Sequence, residues 1–374
     1  MADFDFVIIG AGMAGASAGY ELAAHGRVLI LEQEDQPGYH TTGRSAALYA
    51  ETYGNATVRA LTTGGKGFYL DPPAGFAAHP LLLPRGVVFI GRADQRGSLD
   101  RFLEEVAGLR SNIRRIGTAE LEARIPVFQP GYVADAVLDP DAMDIDVHGL
   151  HQGYLRGLKA RGGQLLTDAQ VCGLSRQAGV WRIETKAGLF QTRVVVNAAG
   201  AWADEIGSLA GAKPIGLVPK RRTAIQFRPP AGIDVARWPT IIDADEQFYF
   251  RPDAGKIMAS PADETPMPPC DVQPEDLDIA ILIDRLEKVV TMPIPRIENS
   301  WAGLRSFVAD KTPVIGYDEQ VQDLFWLAGQ GGYGIQTAPG IARLVRALAQ
   351  HEPVPPDLAD LGVTEGAVSP ARLR

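Results

Sequence analysis

Gly10-Ala11-Gly12-Met13-Ala14-Gly15 stands between the apolar run Phe4-Asp5-Phe6-Val7-Ile8-Ile9 and a helical pattern of small residues from Ala14 to about Ala24. A second apolar run, Val28-Leu29-Ile30-Leu31, ends on Glu32. This is a strand, a glycine-rich turn, a helix and a second strand closed by an acid. Each part has a mechanical task. Gly10 makes the tight turn, Gly12 lets the backbone approach a pyrophosphate, and Gly15 lets helix and strand pack closely. The unpaired amides and the dipole of the helix start then face the phosphates, with Ala14 in the first turn. Glu32 can accept hydrogen bonds from ribose hydroxyls and repels a 2′-phosphate, which disfavours NADP. The bland alternative is a glycine-rich turn in an ordinary α/β unit. The full set of strand, helix and acid favours dinucleotide binding over it.

Three later stretches favour FAD among the dinucleotides. Thr41-Thr42-Gly43-Arg44-Ser45-Ala46-Ala47 follows the second strand, and its small and hydroxylic residues allow backbone contact with a pyrophosphate or ring. Arg44 can neutralise phosphate there. Val194-Val195-Val196-Asn197-Ala198-Ala199-Gly200-Ala201-Trp202 reads as a buried strand opening into a small-residue turn and a helix start. Gly329-Gln330-Gly331-Gly332-Tyr333-Gly334-Ile335-Gln336-Thr337 follows Leu324–Ala328 and precedes a helical stretch from Ile341 to Ala349. It is a second glycine-rich helix N-terminus, suited to the negative charge that gathers on a reduced flavin. Two such termini so far apart in sequence fit one long cofactor.

These stretches, with Ser300-Trp301-Ala302-Gly303-Leu304-Arg305 and Pro313-Val314-Ile315-Gly316, resemble the D-amino-acid-oxidase family of flavoproteins, which includes glycine and sarcosine oxidases. Within that family the pattern is most similar to the bacterial D-arginine dehydrogenases, over essentially the whole chain. The resemblance implies a Rossmann-like FAD-binding domain with non-covalent FAD. Val171, Gly331, Gly332, Tyr333, Gly334, Ile335 and Gln336 join Gly10, Gly12, Ala14, Gly15, Glu32, Gly43, Arg44, Ser45, Ala199 and Gly200 as expected cofactor contacts. Neither Cys172 nor Cys270 matches a covalent attachment position.

Composition fits an enzyme rather than a nucleic-acid binder. The chain has 374 residues, 46% hydrophobic and 22% charged, with net charge -9. No apolar run approaches a membrane span, and no basic leader is visible at the first residues, so a cytoplasmic protein is expected. The two cysteines lie far apart and outside CxxC spacing, which excludes a dithiol reductase. His148 and His151 lie beside Asp144 and Asp146, but Asp146 reads as a helix N-cap, and no metal is expected. The fold class is α/β with a second α+β domain on an antiparallel sheet. Residues 1–85, 145–217 and 300–374 are expected to form the FAD domain, and 86–144 and 218–299 the substrate domain. Thr223–Phe227, Phe248–Phe250 and Lys256–Ala259 read as strands there, and Leu99 to Leu109 and Leu277 to Val290 as helices.

A flavin enzyme acting on an amino acid must hold its carboxylate, and the fork of an arginine matches two oxygens. Arg221, Arg222, Arg251 and Arg305 are the candidates, and alternation does not choose between Arg221 and Arg222. The resemblance implies that Arg222 and Arg305 clamp the carboxylate. It places Tyr53 and Tyr249 in the pocket, and the Gly303 carbonyl and Gln336 near the amine and main-chain end. Two positions depart from the D-arginine pattern: Leu48 stands in place of a histidine and Val87 in place of a guanidinium-binding glutamate. Neutral, largely apolar side chains are therefore expected, unless Glu51 in the neighbouring loop supplies the missing carboxylate. The expected reaction is oxidation of a D-amino acid to an imino acid, with oxygen or a quinone-type acceptor. Oxidation of a secondary amine such as sarcosine or proline, or flavin binding without turnover, are the alternatives.

Overall fold

The computed structural model describes residues 2–109, 112–294 and 296–374. Two large sheets share the chain. The first has eight strands and is built on Phe4–Ile9, which pairs in parallel with Val28–Leu31 on one side and Gly188–Asn197 on the other. Gln164–Leu166 extends the parallel row beyond Val28–Leu31, and Leu324–Ala328 pairs in parallel with the end of Gly188–Asn197. A meander, Val171–Gln177 and Val180–Thr185, leads antiparallel into Gly188–Asn197. The central strands are apolar because both faces are covered. Val7, Ile8, Ile30, Val195 and Val196 have at most 1% of their surface exposed.

The glycine motif explains the first crossover. The helix Met13–Leu22 starts at Gly12, an N-cap in extended conformation that provides no side-chain cap. Gly10 has φ +105°, and a Cβ there would meet the Ala198 carbonyl oxygen at 2.4 Å. A Cβ on Gly15 would lie 1.9 Å from the Gly10 carbonyl oxygen, so the helix packs on the turn only because both residues are glycine. The helix ends at Leu22, two residues short of the expected Ala24.

The second sheet has nine strands. Among the described residues it is antiparallel except for one parallel pair, Val87–Gly91 with Thr240–Asp243. The expected strands are there, as Val218–Phe227, Tyr249–Asp253 and Lys256–Ser260, and so are the helices, as Arg96–Val106 and Asp276–Val289. Strand Ile297–Phe307, which the expected boundary at 299/300 would divide, pairs along its length with Val218–Phe227. Gly303 and Arg305 therefore belong to this second sheet. A small three-stranded sheet of Leu48–Tyr49, Leu82–Pro84 and Met143–Ile145 lies at the junction.

The loop after the second strand joins the two sheets. The Thr41 hydroxyl donates to the Leu304 carbonyl at 2.7 Å, and the Trp301 indole N–H donates to the Arg44 carbonyl at 3.2 Å. Arg44 donates to the carbonyls of Val272 and Ala302, each at 3.0 Å.

Candidate active site

One cavity runs from the Gly10 loop to the second sheet. Its nucleotide end is lined by Gly10, Gly12, Ala14, Glu32, Val171, Ala199 and Gly200. Glu32 directly follows its strand and is buried, with one oxygen accepting from the Ala11 amide at 2.7 Å and the other from the Glu34 amide at 3.1 Å. The Thr42 hydroxyl oxygen accepts the Met13 amide at 2.9 Å, so this loop holds the helix start in place. His151 lies beneath, its Nε2 at 2.9 Å from the Ala11 carbonyl oxygen, and burial pushes its pKa down. Asp146 caps the helix that carries His151 by accepting from the Gly149 amide.

Gly331, Gly332, Gly334, Ile335 and Gln336 form the opposite wall, just before the helix Ala338–Ala349, whose N-cap Thr337 supplies no side-chain cap. The backbone of Gly10–Ala14, the glycine-rich loop Gly331–Gln336 and the Glu32 carboxylate are the features that fit a flavin dinucleotide. Gly10, Gly12 and Ala14 would hold the phosphates of FAD, and the Gly331–Gln336 loop would hold its ring. Cys172 and Cys270 are both absent from the wall.

Several expected cofactor contacts sit elsewhere. Gly15 is used in helix packing and Gly43 in a turn, its amide donating to the Gly38 carbonyl; neither lines the cavity. Tyr333 turns its ring onto Tyr53 and Phe307, with centroids at 4.9 and 6.1 Å, and is likewise off the wall. Arg44 and Ser45 do line it. Arg44, however, is paired with Asp271, so its charge is already committed, and the Ser45 hydroxyl oxygen accepts the Ala47 amide.

At the other end register separates the arginines. Arg221 and Arg222 face opposite sides of their strand. Arg221 is buried among Asp263, Glu275 and Asp278, away from the cavity. Arg222 lines the cavity and stands opposite Gly303, while Arg305 stands opposite Lys220. Arg222 and Arg305 are thus diagonal neighbours on one face of adjacent strands, and Gly303 puts no side chain between them. Arg251 also reaches the cavity but is held by Asp144, which pairs with Arg85 as well, and by the Ala46 carbonyl.

Arg305 Nη2 donates to the Tyr53 hydroxyl at 2.6 Å. Burial would push its pKa down, but the surrounding Tyr53, Tyr249 and Tyr333 oxygens outweigh it and hold the guanidinium charged. A Cβ on Gly332 would lie 1.8 Å from the Arg305 guanidinium, so this glycine makes room for the arginine. Tyr249 lines the same space. Gln336 is on the wall, yet its amide is used locally: Nε2 donates to Thr62 at 3.0 Å and Oε1 accepts the Ala50 amide at 3.3 Å. It fixes the loop that carries Tyr53 rather than offering free groups to the cavity.

Leu48 and Val87 line the cavity with Phe89 and Ile242 and make its far wall apolar. Glu51 pairs with Lys66 and does not reach it. The sequence reading missed Glu246, an exposed acid on the cavity rim in the turn before Tyr249, held at φ +54°. The run Asp243-Ala-Asp-Glu-Gln marks a turn but does not say which acid faces inward.

Similarity to known proteins agrees with this geometry. The family description "FAD dependent oxidoreductase" matches residues 5–348. Hydrogen cyanide synthase subunit HcnC of Pseudomonas aeruginosa is 24% identical over 408 aligned residues, covering 95% of this chain and 94% of that protein. Mitochondrial sarcosine dehydrogenase of Mus musculus is 24% identical over 357 residues, covering 89% of this chain but 38% of its own. Among solved structures, glycine oxidase from Geobacillus kaustophilus has the same fold, with TM-score 0.82 at 20% identity over 96% of this chain and 97% of that one. With the family match spanning nearly the whole chain and two glycine-rich loops lining one cavity, the chain belongs to the FAD-dependent oxidoreductase family and takes FAD as its cofactor.

Proposed function

We propose that this enzyme oxidises free amino acids at the carbon bearing the nitrogen. The observation that supports it most is the Arg222–Arg305 pair, two charged forks converging on one cavity beside Tyr53 and Tyr249. FAD, when bound, would supply the hydride-accepting chemistry at that carbon. The protein supplies orientation and electrostatics. Arg222 and Arg305 bind the substrate carboxylate, and the Tyr53 and Tyr249 hydroxyls add hydrogen bonds to it. The Gly303 carbonyl accepts from the amine, as the family resemblance implies. Gln336 acts one step back, by holding the Ala50–Tyr53 loop. A neutral amine leaves no proton that a side-chain base must remove, and none is assigned.

The apolar wall of Leu48, Val87, Phe89 and Ile242 supports a neutral, apolar substrate side chain. The D configuration rests on the family resemblance. A second reading, oxidation of an N-methylated or cyclic secondary amine, draws support from the similarity to sarcosine dehydrogenase. An anaerobic flavin-bleaching panel separates them: D- and L-amino acids, each beside its N-methyl counterpart, followed by reoxidation with oxygen or a quinone dye. Fastest bleaching by a primary D-amino acid supports the first reading. Fastest bleaching by N-methyl compounds or proline replaces it with the second.

A further inference from the structure

A carboxylate of the protein itself stands behind the arginine pair. Glu264 precedes the short strand Thr265–Pro266, which pairs with Lys220 and Arg221. That pairing brings its side chain against three cations. Its Oε1 lies 3.2 Å from Arg222 Nη2 and 3.9 Å from Arg305 Nη1, and its Oε2 accepts from Lys220 Nζ at 2.9 Å. Its side chain is 32% exposed and does not line the cavity, so it meets the guanidinium groups without itself facing the space left for substrate. Burial pushes its pKa up, but Lys220, Arg305 and Lys311 pull it down further, and it is ionised at neutral pH.

Both arginines also have anchors that do not depend on this charge. Arg222 Nε donates to the Asp263 carbonyl at 2.9 Å, and Arg305 donates to Tyr53. A neutral side chain of the same shape at 264 would thus leave the forks aimed while removing the negative charge. At Glu264 three cations face one anion, so the arginine pair keeps net positive surroundings that Glu264 lessens.

We propose that Glu264 is a counter-ion that tunes the affinity of the Arg222–Arg305 pair for carboxylates, offsetting part of their field so that substrate and product carboxylates exchange. This rests on the reading of that pair as the carboxylate clamp. The test is titration of the FAD-loaded enzyme with propionate, and with neutral propanamide as control, followed by the flavin absorbance change. Glu264→Gln should tighten propionate by about three- to tenfold, as expected for one partly screened charge at this distance, and leave propanamide unchanged. Glu264→Asp, which keeps the charge, should stay within about twofold of wild type, and Lys220→Gln should shift propionate the opposite way to Glu264→Gln. If Arg222→Ala loses propionate while Glu264→Gln binds it no more tightly than wild type, the tuning role is overturned and the clamp stands. Wild-type propionate binding by Arg222→Ala would overturn both.

Discussion

At the nucleotide end of the cavity the wall is mostly backbone: Gly10, Gly12, Ala199 and Gly200 around a helix start that Thr42 holds, with Glu32 a committed acid. At the substrate end the wall is side chain: Arg222, Arg305, Tyr53, Tyr249, Leu48 and Val87, delivered by strands and loops from both halves of the sequence. The first end recognises a shape common to all flavin dinucleotides. The second, on the function proposed, would recognise a charge and a side chain, and its chemistry can change without moving a strand. Damage should accordingly be all-or-none at one end and graded at the other.

The largest effect belongs to the backbone end. Gly10→Val forces a β-branched residue to φ +105° and drives its Cβ into the Ala198 carbonyl. Strain of this kind costs about 1–3 kcal/mol before the clash is counted, so the purified protein should hold less than about a tenth of wild-type FAD, read by absorbance. Full flavin content would show that the loop rearranges freely.

Next come the graded losses. Arg222→Ala or Arg305→Ala should retain FAD yet lower kcat/KM by roughly 30- to several-thousand-fold, since losing one partner of a buried charged pair costs about 2–5 kcal/mol. Tyr53→Phe removes the hydroxyl at 2.6 Å from Arg305 and should cost less, about 0.5–3 kcal/mol. Steady-state kinetics on the best amino acid checks both, and near-wild-type values for the arginine variants would remove them from the site. Val87→Glu should shift the ratio of neutral to cationic amino acids by about tenfold toward the cations, or 1.4 kcal/mol. It should also lower stability, because Asp139, a buried acid whose pKa burial already raises, is its cross-strand partner. An unchanged ratio would mean that position 87 does not read the substrate.

The smallest effect lies beneath the nucleotide loop. Burial depresses the pKa of His151 below its ordinary 6.5, so the unfolded chain takes up the proton first as pH falls. The stability this histidine contributes is complete above about pH 6.5 and is lost as pH drops below it. His151→Gln should flatten the fall in Tm of the flavin-stripped protein between pH 7.5 and 5.5. An identical slope in both proteins would assign the acid sensitivity elsewhere.

The same contrast decided what was legible in the sequence. Gly10–Glu32 and Gly329–Thr337 are contiguous, and their glycines encode local backbone geometry, so the nucleotide end could be read directly. Arg222, opposite Gly303, depends on a pairing between strands some 80 residues apart that no local pattern reveals. Residue type alone left Arg221 and Arg222 equivalent, and the family resemblance pointed to Arg222; burial of Arg221 among three acids is a tertiary fact. The commitments of Arg44 to Asp271 and of Gln336 to Thr62 were likewise invisible, because a polar side chain does not announce its partner. Glu246 and Glu264 lie in loops whose composition marks turns and nothing more.

Carboxylate recognition at the side-chain end is tested most directly by offering the best amino acid of the panel and its amide, which keeps the amine and side chain but carries no carboxylate charge. With the two at equal concentration and the FAD-loaded enzyme held anaerobic, stopped-flow absorbance gives the rate of flavin bleaching for each. The expected result is that the amide reduces the flavin at least about 30-fold more slowly, matching the lower bound for losing one buried charged partner, and that Arg222→Ala narrows the gap between the two. Equal bleaching by amide and amino acid would contradict the assignment of Arg222 and Arg305 as the carboxylate clamp.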